Sequence, residues 1–202
     1  MVDWKQITTN TYNRNAKDFA EYFQGIGPRI EDIDRAFNLA GNQKNAKVVE
    51  IGCGDGRDAE EIVKRTKNYT GFDISEELIK LAKIRLSKTQ FEVADATSYK
   101  YPASLDIVFA FASLLHLNKE DVKAVLNKVQ IALKPGGIFY ISLKYAPSYQ
   151  NKLKKSWIGR RMFYLYNPKL IKKLAGSGYQ SVYENKGTIG KTEWFEIALK
   201  KM

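Results

Sequence analysis

Short apolar runs alternate with longer amphipathic stretches over most of this chain. The runs of strand length lie at 48–51, 69–73, 90–94, 105–112 and 138–143. A run that is apolar at nearly every position, such as 105–112, is typical of a strand that helices cover on both faces of a parallel sheet. The pattern therefore predicts an α/β protein.

Helix signals stand between and after these runs. Ser75, Asn118 and Asn167 are each predicted to cap a helix, and Pro168 suits the first position of the third helix. The helix after Asn118 has a buried face at helical spacing, made of Val122, Val125, Leu126, Val129 and Leu133. Glycines at 176–178 predict the end of the third helix.

The two ends of the chain add further elements to this core. Apolar residues at helical spacing over 10–23 and 26–39 predict two helices, which we expect to cover the crevice at the carboxyl ends of the strands. Residues 179–185 and 194–199 alternate in polarity like strands, with a predicted loop at 187–190 between them.

Composition agrees with a single globular domain. The chain has 202 residues, of which 44% are hydrophobic, and no run approaches the ~18 apolar residues of a membrane span. The first residues have neither the basic segment nor the apolar core of a signal peptide, so we expect a cytoplasmic protein. One cysteine and one histidine give neither a disulfide framework nor a zinc cluster, so we expect no metal.

The net charge of +11 is concentrated near one end. Residues 144–202 contain 13 Lys and Arg against 3 Asp and Glu, whereas residues 1–143 are nearly balanced. Within this quarter, the segment 144–166 interleaves basic and aromatic residues and follows the fifth predicted strand. Because ligands of open α/β folds bind at the carboxyl ends of the strands, this segment is a candidate ligand-binding wall.

The most specific motif lies where the first predicted strand ends. Residues 48–56 have the sequence VVEIGCGDG, with glycines at Gly52, Gly54 and Gly56. Glycine adopts positive φ and has no Cβ, so three glycines in five residues indicate a loop that approaches a ligand closely. A dinucleotide fingerprint would need glycine where the chain has Arg57, which disfavours an NAD-dependent oxidoreductase.

Carboxylates recur at the ends of the first three predicted strands. Glu50 precedes the glycine loop, Asp73 ends the second strand and Asp95 follows the third. A carboxylate in the position of Asp73 can accept hydrogen bonds from both hydroxyls of a ribose. A single acid of this kind is usually a solvated strand end, but three in register indicate a site.

Together these features resemble the class I S-adenosylmethionine-dependent methyltransferases. The acid two residues before G-x-G-x-G resembles their first motif, and the sequence at 132–137, ALKPGG, is another landmark of that family. The resemblance covers 48–143 in order. It implies a Rossmann-like, seven-stranded, mostly parallel sheet with helices on both faces, an antiparallel C-terminal strand pair and an N-terminal helical lid.

The resemblance also implies an organisation for the whole chain. We expect one methyltransferase domain over 1–202, in which 1–45 form the lid and 46–143 the cofactor-binding core. Residues 144–166 would then lie on the acceptor side, and 167–202 would form the C-terminal helix and strand pair.

The cofactor implied by the resemblance is S-adenosylmethionine, with S-adenosylhomocysteine as product. In the family the position of Asp95 meets the adenine, and Cys53 would pack or lend its backbone to the cofactor. The implied contacts come from Tyr12, Glu50, Gly52, Cys53, Gly54, Gly56, Asp73, Ile74, Asp95, Ala96, Ala110 and Phe111.

Catalytic residues are harder to predict, because methyl transfer mainly requires alignment of the donor and acceptor. His116, the only histidine, follows the fourth predicted strand and is a candidate base with an ordinary pKa near ~6.5. The alternative is a packed histidine without a catalytic role. Candidate acceptor-binding residues in the basic, aromatic segment are Tyr145, Arg160, Arg161 and Tyr164.

Several acceptors remain open at this level. A small anionic or aromatic metabolite is the first hypothesis, and RNA is the alternative that the basic quarter suggests. The sequence AFASLLH at 110–116 lacks the Asn/Asp-Pro-Pro-Tyr/Phe motif of many amine methyltransferases, and Cys53 lies in the wrong loop for cytosine carbon-5 chemistry. A non-catalytic S-adenosylmethionine-binding protein is a further alternative, and the oligomeric state is left open.

Overall fold

A computed structural model describes residues 2–156 and 158–202. Its main sheet has seven strands in the order β3-β2-β1-β4-β5-β9-β8. These strands are β1 (Val48–Ile51), β2 (Tyr69–Asp73), β3 (Gln90–Val93), β4 (Leu105–Phe111), β5 (Leu133–Lys144), β8 (Tyr179–Ile189) and β9 (Thr192–Lys201). Strands β1 to β5 are parallel, and β9 runs antiparallel to both β5 and β8. The predicted Rossmann-like sheet with an antiparallel C-terminal pair is confirmed.

Helices cover both faces of this sheet. They are α1 (Trp4–Arg14), α2 (Ala16–Gln24), α3 (Ile30–Leu39), α4 (Ala59–Ile62), α5 (Glu76–Arg85), α6 (Lys119–Ala132) and α7 (Pro168–Ala175). The alternation of β4 divides the core, because Ile107 and Phe109 pack with α3 on one face while Val108 packs with α6 on the other. All seven residues of β4 are buried, as its apolar sequence predicts.

The three predicted helix caps are confirmed. The side chains of Ser75, Asn118 and Asn167 accept hydrogen bonds from backbone N–H groups in the first turns of α5, α6 and α7. These bonds satisfy donors that a helix start leaves without an intrahelical partner. The capped starts of α5 and α6 place the loops after β2 and β4 at one edge of the sheet.

The N-terminal region has three helices where two were predicted. The predicted helix at 10–23 is divided at Asn15, which has φ −123° and ψ 29°. The Asn15 amide donates to the carbonyl oxygens of Thr11 and Ile158, so the break is held by contacts distant in sequence. Only α1 and α2 lie over the crevice, because α3 packs against the sheet through Ile33 and Phe37.

A second sheet follows β5. Strands β6 (Gln150–Ser156) and β7 (Gly159–Leu165) form an antiparallel hairpin within the basic, aromatic segment. Trp157 lies outside the described residues. The terminal strands β8 and β9 are also longer than predicted, because their pairing continues to Ile189 and Thr192 through most of the expected loop.

Across residues 2–156 and 158–202, no helix combines the length and apolar character needed to cross a bilayer.

Candidate active site

A cavity of about 560 Å³ opens at the carboxyl ends of β1, β2 and β4. Helices α1 and α2 form one wall, and the β6–β7 hairpin forms another. Its volume lies within the range of small-molecule sites, and its position is the edge where open α/β sheets bind ligands.

The glycine loop forms the floor of this cavity. Gly54 has φ +57° and lines the cavity, and a Cβ added to it would meet no atom within 4 Å. Gly52 has φ +71°, and a Cβ there would collide with the side chain of Ser113. Gly56 has φ +83° but lies behind the cavity wall, against Ala82 and Phe91. The loop therefore leaves its open space beside Gly54, as a close ligand contact requires.

Asp73 lies beside this loop, and its carboxylate can accept more hydrogen bonds than the two it accepts from the backbone. Its carboxylate accepts from the backbone N–H of Gly54 at 3.0 Å and from that of Ser75 at 2.8 Å. A carboxylate offers about four acceptor positions, so two remain for a ligand in the cavity that Asp73 lines. Burial raises the pKa of Asp73, against the lowering effect of these hydrogen bonds.

Asp95 lines the same cavity but already has partners. Its Oδ2 accepts from Lys5 Nζ at 2.8 Å, and its Oδ1 accepts from the backbone N–H and hydroxyl of Thr97, both at 2.8 Å. Burial opposes a lower pKa for this carboxyl group, but the bonds from Lys5 and Thr97 outweigh it and lower the pKa. A ligand amino group bound to Asp95 would share Oδ2 with Lys5.

Glu50 supports the loop from behind, and Cys53 lies within the loop. Glu50 is 1% exposed and accepts a hydrogen bond from the Tyr69 hydroxyl at 2.5 Å. Burial, with the nearby Asp58 carboxylate, raises the pKa of Glu50 to about 8. Burial also raises the pKa of the Cys53 thiol, which lines the cavity floor as an unreactive side chain.

His116 and Tyr12 form a hydrogen-bonded pair inside the cavity. Tyr12 Oη lies 2.9 Å from His116 Nε2, and His116 Nδ1 lies 2.7 Å from the carbonyl oxygen of Met162. A carbonyl oxygen only accepts, so Nδ1 carries the proton and Nε2 accepts from the Tyr12 hydroxyl. Burial, with Arg161 and Lys144 nearby, lowers the pKa of His116 to about 4.

Arg161 is a buried cation that faces this pair. It is 7% exposed, its Nη1 donates to Tyr12 Oη at 3.3 Å, and its Nε is buried with no hydrogen-bond partner. The guanidinium lies over the rings of Tyr12, Phe19 and Phe163. Among the described residues no carboxylate pairs with Arg161.

Lys144 adds a second cation to the same part of the cavity. Its ammonium lies 4.1 Å from the ring centroid of Phe163 and 5.6 Å from that of Trp194. Burial, with Lys154, Arg161 and Lys152 nearby, lowers the pKa of Lys144 to about 8. Cations gathered without acids make this end of the cavity favourable for an anion.

The hairpin register separates the four predicted acceptor residues. Arg161 pairs with Lys154 on the face that lines the cavity, whereas Arg160 pairs with Lys155 on the opposite face and is exposed. Tyr164 stacks on Tyr149, away from the cavity lining.

Tyr145 also lies outside the cavity lining, against Phe195 and the Lys186 ammonium. The structure therefore places one of the four, Arg161, in the cavity wall.

The predicted cofactor residues divide in a similar way. Three residues, Glu50, Gly56 and Ala110, lie behind the cavity wall, and Ala110 is fully buried in β4. The other nine line the cavity: Tyr12, Gly52, Cys53, Gly54, Asp73, Ile74, Asp95, Ala96 and Phe111.

Polar side chains of α1 attach it to the outer edge of β7. Met162 N–H donates to the Thr8 hydroxyl, and the Thr11 hydroxyl donates to the Arg160 carbonyl. With Asn15, which caps α1 and bonds to Ile158, these residues contact every second residue from Ile158 to Met162. Helix α1 and the hairpin thus form one continuous cover over the cavity.

The sequence did not reveal Lys5, Lys144 or Thr8. Lys5 meets Asp95 across 90 positions of sequence, and Thr8 meets Met162 across 154. No local pattern marks such pairs. Lys144 carries a weak signal, because it ends an apolar strand just before the crevice.

Three residues that line the cavity have a buried polar atom without a hydrogen-bond partner. The buried atoms Ser113 Oγ, Ser156 Oγ and Arg161 Nε have no hydrogen-bond partner, and all three residues line the cavity. Within the described residues, no group of three or more His, Cys, Asp or Glu is arranged to hold a metal ion. The residues present fit an organic ligand with hydroxyl, amine and anionic groups.

Comparison with known proteins agrees with this geometry. Residues 48–137 match the family described as "Methyltransferase domain". Malonyl-[acyl-carrier protein] O-methyltransferase 2 of Ilyobacter polytropus is 28% identical over 154 residues, 70% of this chain and 55% of that protein. The ubiquinone biosynthesis O-methyltransferase of Idiomarina loihiensis is 31% identical over 119 residues, 55% of this chain and 45% of that protein. The chain spans about half the length of the curated relatives it matches.

Solved structures share the fold over the whole chain. Magnesium protoporphyrin IX methyltransferase from Synechocystis PCC 6803, with bound S-adenosylmethionine, has a TM-score of 0.74 at 17% identity and covers 100% of this chain and 99% of its own. The 1,6-didemethyltoxoflavin-N1-methyltransferase of Burkholderia thailandensis contains S-adenosylhomocysteine; its TM-score is 0.73 at 15% identity, over 100% of this chain and 92% of its own. At these identities the likeness concerns the fold.

Proposed function

We propose that the chain, whose residues 48–137 match the methyltransferase-domain family, is a class I S-adenosylmethionine-dependent methyltransferase that transfers a methyl group from S-adenosylmethionine to a small anionic molecule. The observation that carries this proposal is one cavity with two chemically different ends. The glycine loop, Asp73 and Asp95 lie at one end, and Arg161, with which no carboxylate of the described residues pairs, lies at the other.

The first end suits the cofactor. Asp73 would accept from the ribose hydroxyls with its two free acceptor positions, and the open space beside Gly54 would admit the ligand against the loop. Asp95 Oδ2 would accept from the adenine amino group, shared with Lys5. When bound, the cofactor supplies a methyl group on a sulfonium, whose departure leaves a neutral sulfur.

The chain's own contribution is then alignment and exclusion of water. Helix α1 is hydrogen-bonded to β7 through Thr8 and Thr11, and it would close the cavity over the cofactor and the acceptor. Orientation of this kind supplies about 7–11 kcal/mol of a two-reactant barrier. His116 binds Tyr12 and thereby fixes the phenol at the acceptor end.

The second end suits an anionic acceptor with an apolar body. Arg161 and Lys144 supply positive charge, and Phe19, Phe163 and Trp194 supply apolar walls. The two curated relatives described above are named as O-methyltransferases, which favours an oxygen acceptor here. The expected cytoplasmic location, the four-part division of the domain and the absence of a metal requirement stay predictions.

A direct assay tests this function. Purified protein is incubated with S-adenosylmethionine labelled in its methyl group and the small-molecule fraction of a cell extract, and labelled products are identified by mass spectrometry. We expect label in an anionic small molecule. Binding of S-adenosylhomocysteine without any transfer would instead support the non-catalytic alternative.

RNA remains a second candidate because of the outer face of the hairpin. Lys155 and Arg160 are exposed there, and neither has an acidic partner among the described residues. RNA binding through phosphates would weaken steeply with added salt, and Arg160→Ala would reduce that salt dependence. Labelled RNA from the same assay would favour this candidate over a small molecule.

A further inference from the structure

We propose that the methyl-accepting atom is a carboxylate oxygen held by the guanidinium of Arg161, so that the product is a methyl ester. This inference rests on the proposed function and names the acceptor chemistry of the same site. It concerns which atom reacts, a question on which the family fold is silent.

Arg161 has no anionic partner among the described residues. Arg161 is 7% exposed and has no carboxylate partner among the described residues, so its buried charge carries a large desolvation cost. Its Nε has no hydrogen-bond partner, and its Nη1 makes one bond of 3.3 Å to Tyr12 Oη. A carboxylate bound in the cavity would accept two parallel N–H bonds from this fork.

The described residues near Arg161 include no side chain that is available to take a proton from the acceptor. Both nitrogens of His116 are engaged, Nδ1 with Met162 and Nε2 with Tyr12. Burial, with the nearby Arg161 and Lys144, also opposes a proton on His116 and lowers its pKa to about 4. Asp73 and Asp95 lie at the glycine-loop end of the cavity, where the proposed cofactor contacts would take up their acceptor positions.

Lys144 is the remaining titratable group at this end. Its lowered pKa, about 8, still leaves it mostly protonated at neutral pH, and a bound carboxylate would favour its charged form further. A hydroxyl or amine acceptor must lose a proton to some group during the reaction. A carboxylate is already ionised at neutral pH and needs no base.

Methyl transfer to a carboxylate balances in bonds, electrons and protons without a base. A lone pair on the carboxylate oxygen forms the new bond to the methyl carbon, and the carbon–sulfur bond breaks with its electron pair passing to sulfur. No proton moves, and the carboxylate and the sulfonium are both neutralised. The ester no longer pairs with Arg161 or Lys144, so loss of charge favours its release.

Alkali distinguishes this product from the alternatives. Methyl esters release volatile methanol in mild alkali, whereas methyl ethers and N-methyl groups keep their label. Purified protein with methyl-labelled S-adenosylmethionine and a small-molecule extract should give product whose label becomes volatile. Alkali-stable label would overturn the carboxylate assignment while leaving methyl transfer intact, and no label at all would count against the proposed function itself.

Binding provides a readout independent of turnover. In the presence of S-adenosylhomocysteine, benzoate should bind at least tenfold more tightly than benzyl alcohol, its neutral counterpart. Arg161→Met should remove this preference, and Arg161→Lys should keep part of it, because the charge remains but the fork is lost.

Arg160→Met is the matched control, since Arg160 is the neighbouring arginine on the outer face of the same strand. It should leave benzoate affinity within about twofold of wild type. Melting temperatures confirm that each variant is folded. Equal affinity for benzoate and benzyl alcohol, or affinity for neither, would remove the anion site on which the proposal stands.

Discussion

At the scale of single residues, the Asp73 carboxylate both holds the glycine loop and faces the cavity. It holds the glycine loop through Gly54 N–H, and it lines the cavity with acceptor positions free. Asp73→Ala should weaken binding of S-adenosylhomocysteine by about 1.5–3 kcal/mol, the scale of hydrogen bonds to a charged group. Titration calorimetry measures this loss.

The control for Asp73 is Asp18→Ala. Asp18 is an exposed carboxylate at the same cavity, so its removal changes the charge without removing the loop contact. A thermal melt of Asp73→Ala separates loss of the loop bonds from loss of ligand bonds. Unchanged affinity in a folded Asp73→Ala protein would refute the ribose assignment.

His116 predicts a pH dependence that one resonance reports. The chain has one histidine, so its imidazole signal in NMR spectra needs no assignment. We expect a titration midpoint near 4 in the folded protein, because burial and the nearby Arg161 and Lys144 disfavour the charged ring. In the unfolded chain the midpoint should be near ~6.5.

The sign of the stability effect follows from this depressed pKa. Between pH ~6.5 and about 4 the unfolded chain binds a proton that the folded protein does not, so the free energy of unfolding falls as pH is lowered through this window. The size is roughly 3 kcal/mol. The effect of Glu50 on the free energy of unfolding has the opposite sign. Burial and the nearby Asp58 raise the pKa of Glu50 to about 8, so its contribution to stability is lost as pH rises from 4.5 to about 8.

Urea unfolding of wild type and His116→Gln isolates the histidine, because Glu50 contributes equally to both proteins. We expect the difference between their stabilities to shrink as pH falls from 6.5 to 4. A difference that stays constant across this range would show that His116 is not held neutral.

At the scale of elements, the cover over the cavity depends on the contact between α1 and β7. The free edge of β7 finds its hydrogen-bond partners in threonine side chains of a helix. Unpaired backbone groups at a buried edge are costly, so this contact stabilises both elements.

Thr8→Val tests that contact. The substitution keeps the shape but leaves Met162 N–H without its acceptor, which should cost about 1–3 kcal/mol of unfolding free energy. Hydrogen exchange at the Met162 amide should accelerate. Thr9→Val is the matched control, because the Thr9 hydroxyl bonds only to Lys5 O within its own helix. Equal destabilisation by the two variants would argue against the attachment.

The same scale shows how far the sequence predicts the structure. The bounds of β1 and β2 were predicted to the residue, because a buried strand and the glycine or cap after it are both local signals. The strand character of β6 was not recognised, since its sequence QNKLKKS is mostly polar and exposed. Its strand form depends on pairing with β7, which no local pattern specifies.

In the candidate site, too, local sequence signals predict some positions and miss those that depend on strand pairing. Positions at strand ends, such as Asp73 and Gly54, are placed in the cavity by the fold itself. The separation of Arg160 from Arg161 depends on hairpin register, since adjacent strand residues point to opposite faces. Predicting both arginines as acceptor contacts followed from composition, and composition carries no register.

At the scale of the whole molecule, the fold brings together parts that are distant in the chain. The N-terminal helix, the glycine loop and the late hairpin meet around one cavity, with Asp73 and Asp95 near the glycine loop and Arg161 and Lys144 near Phe163. Part of the charge excess after residue 143 therefore lies in the cavity wall. Arg161 and Lys144 face inward, while other lysines of this quarter, such as Lys172 with Glu184, form ion pairs at the surface.

The most direct test of the account is calorimetric titration of the purified protein with S-adenosylhomocysteine and, separately, with NAD. We predict one site of micromolar affinity for S-adenosylhomocysteine, about 8 kcal/mol, and none for NAD. Gly54→Val should abolish this binding, because its side chain would fill the open space beside the loop and strain a φ of +57°. Binding of NAD with no response to S-adenosylhomocysteine would contradict the account.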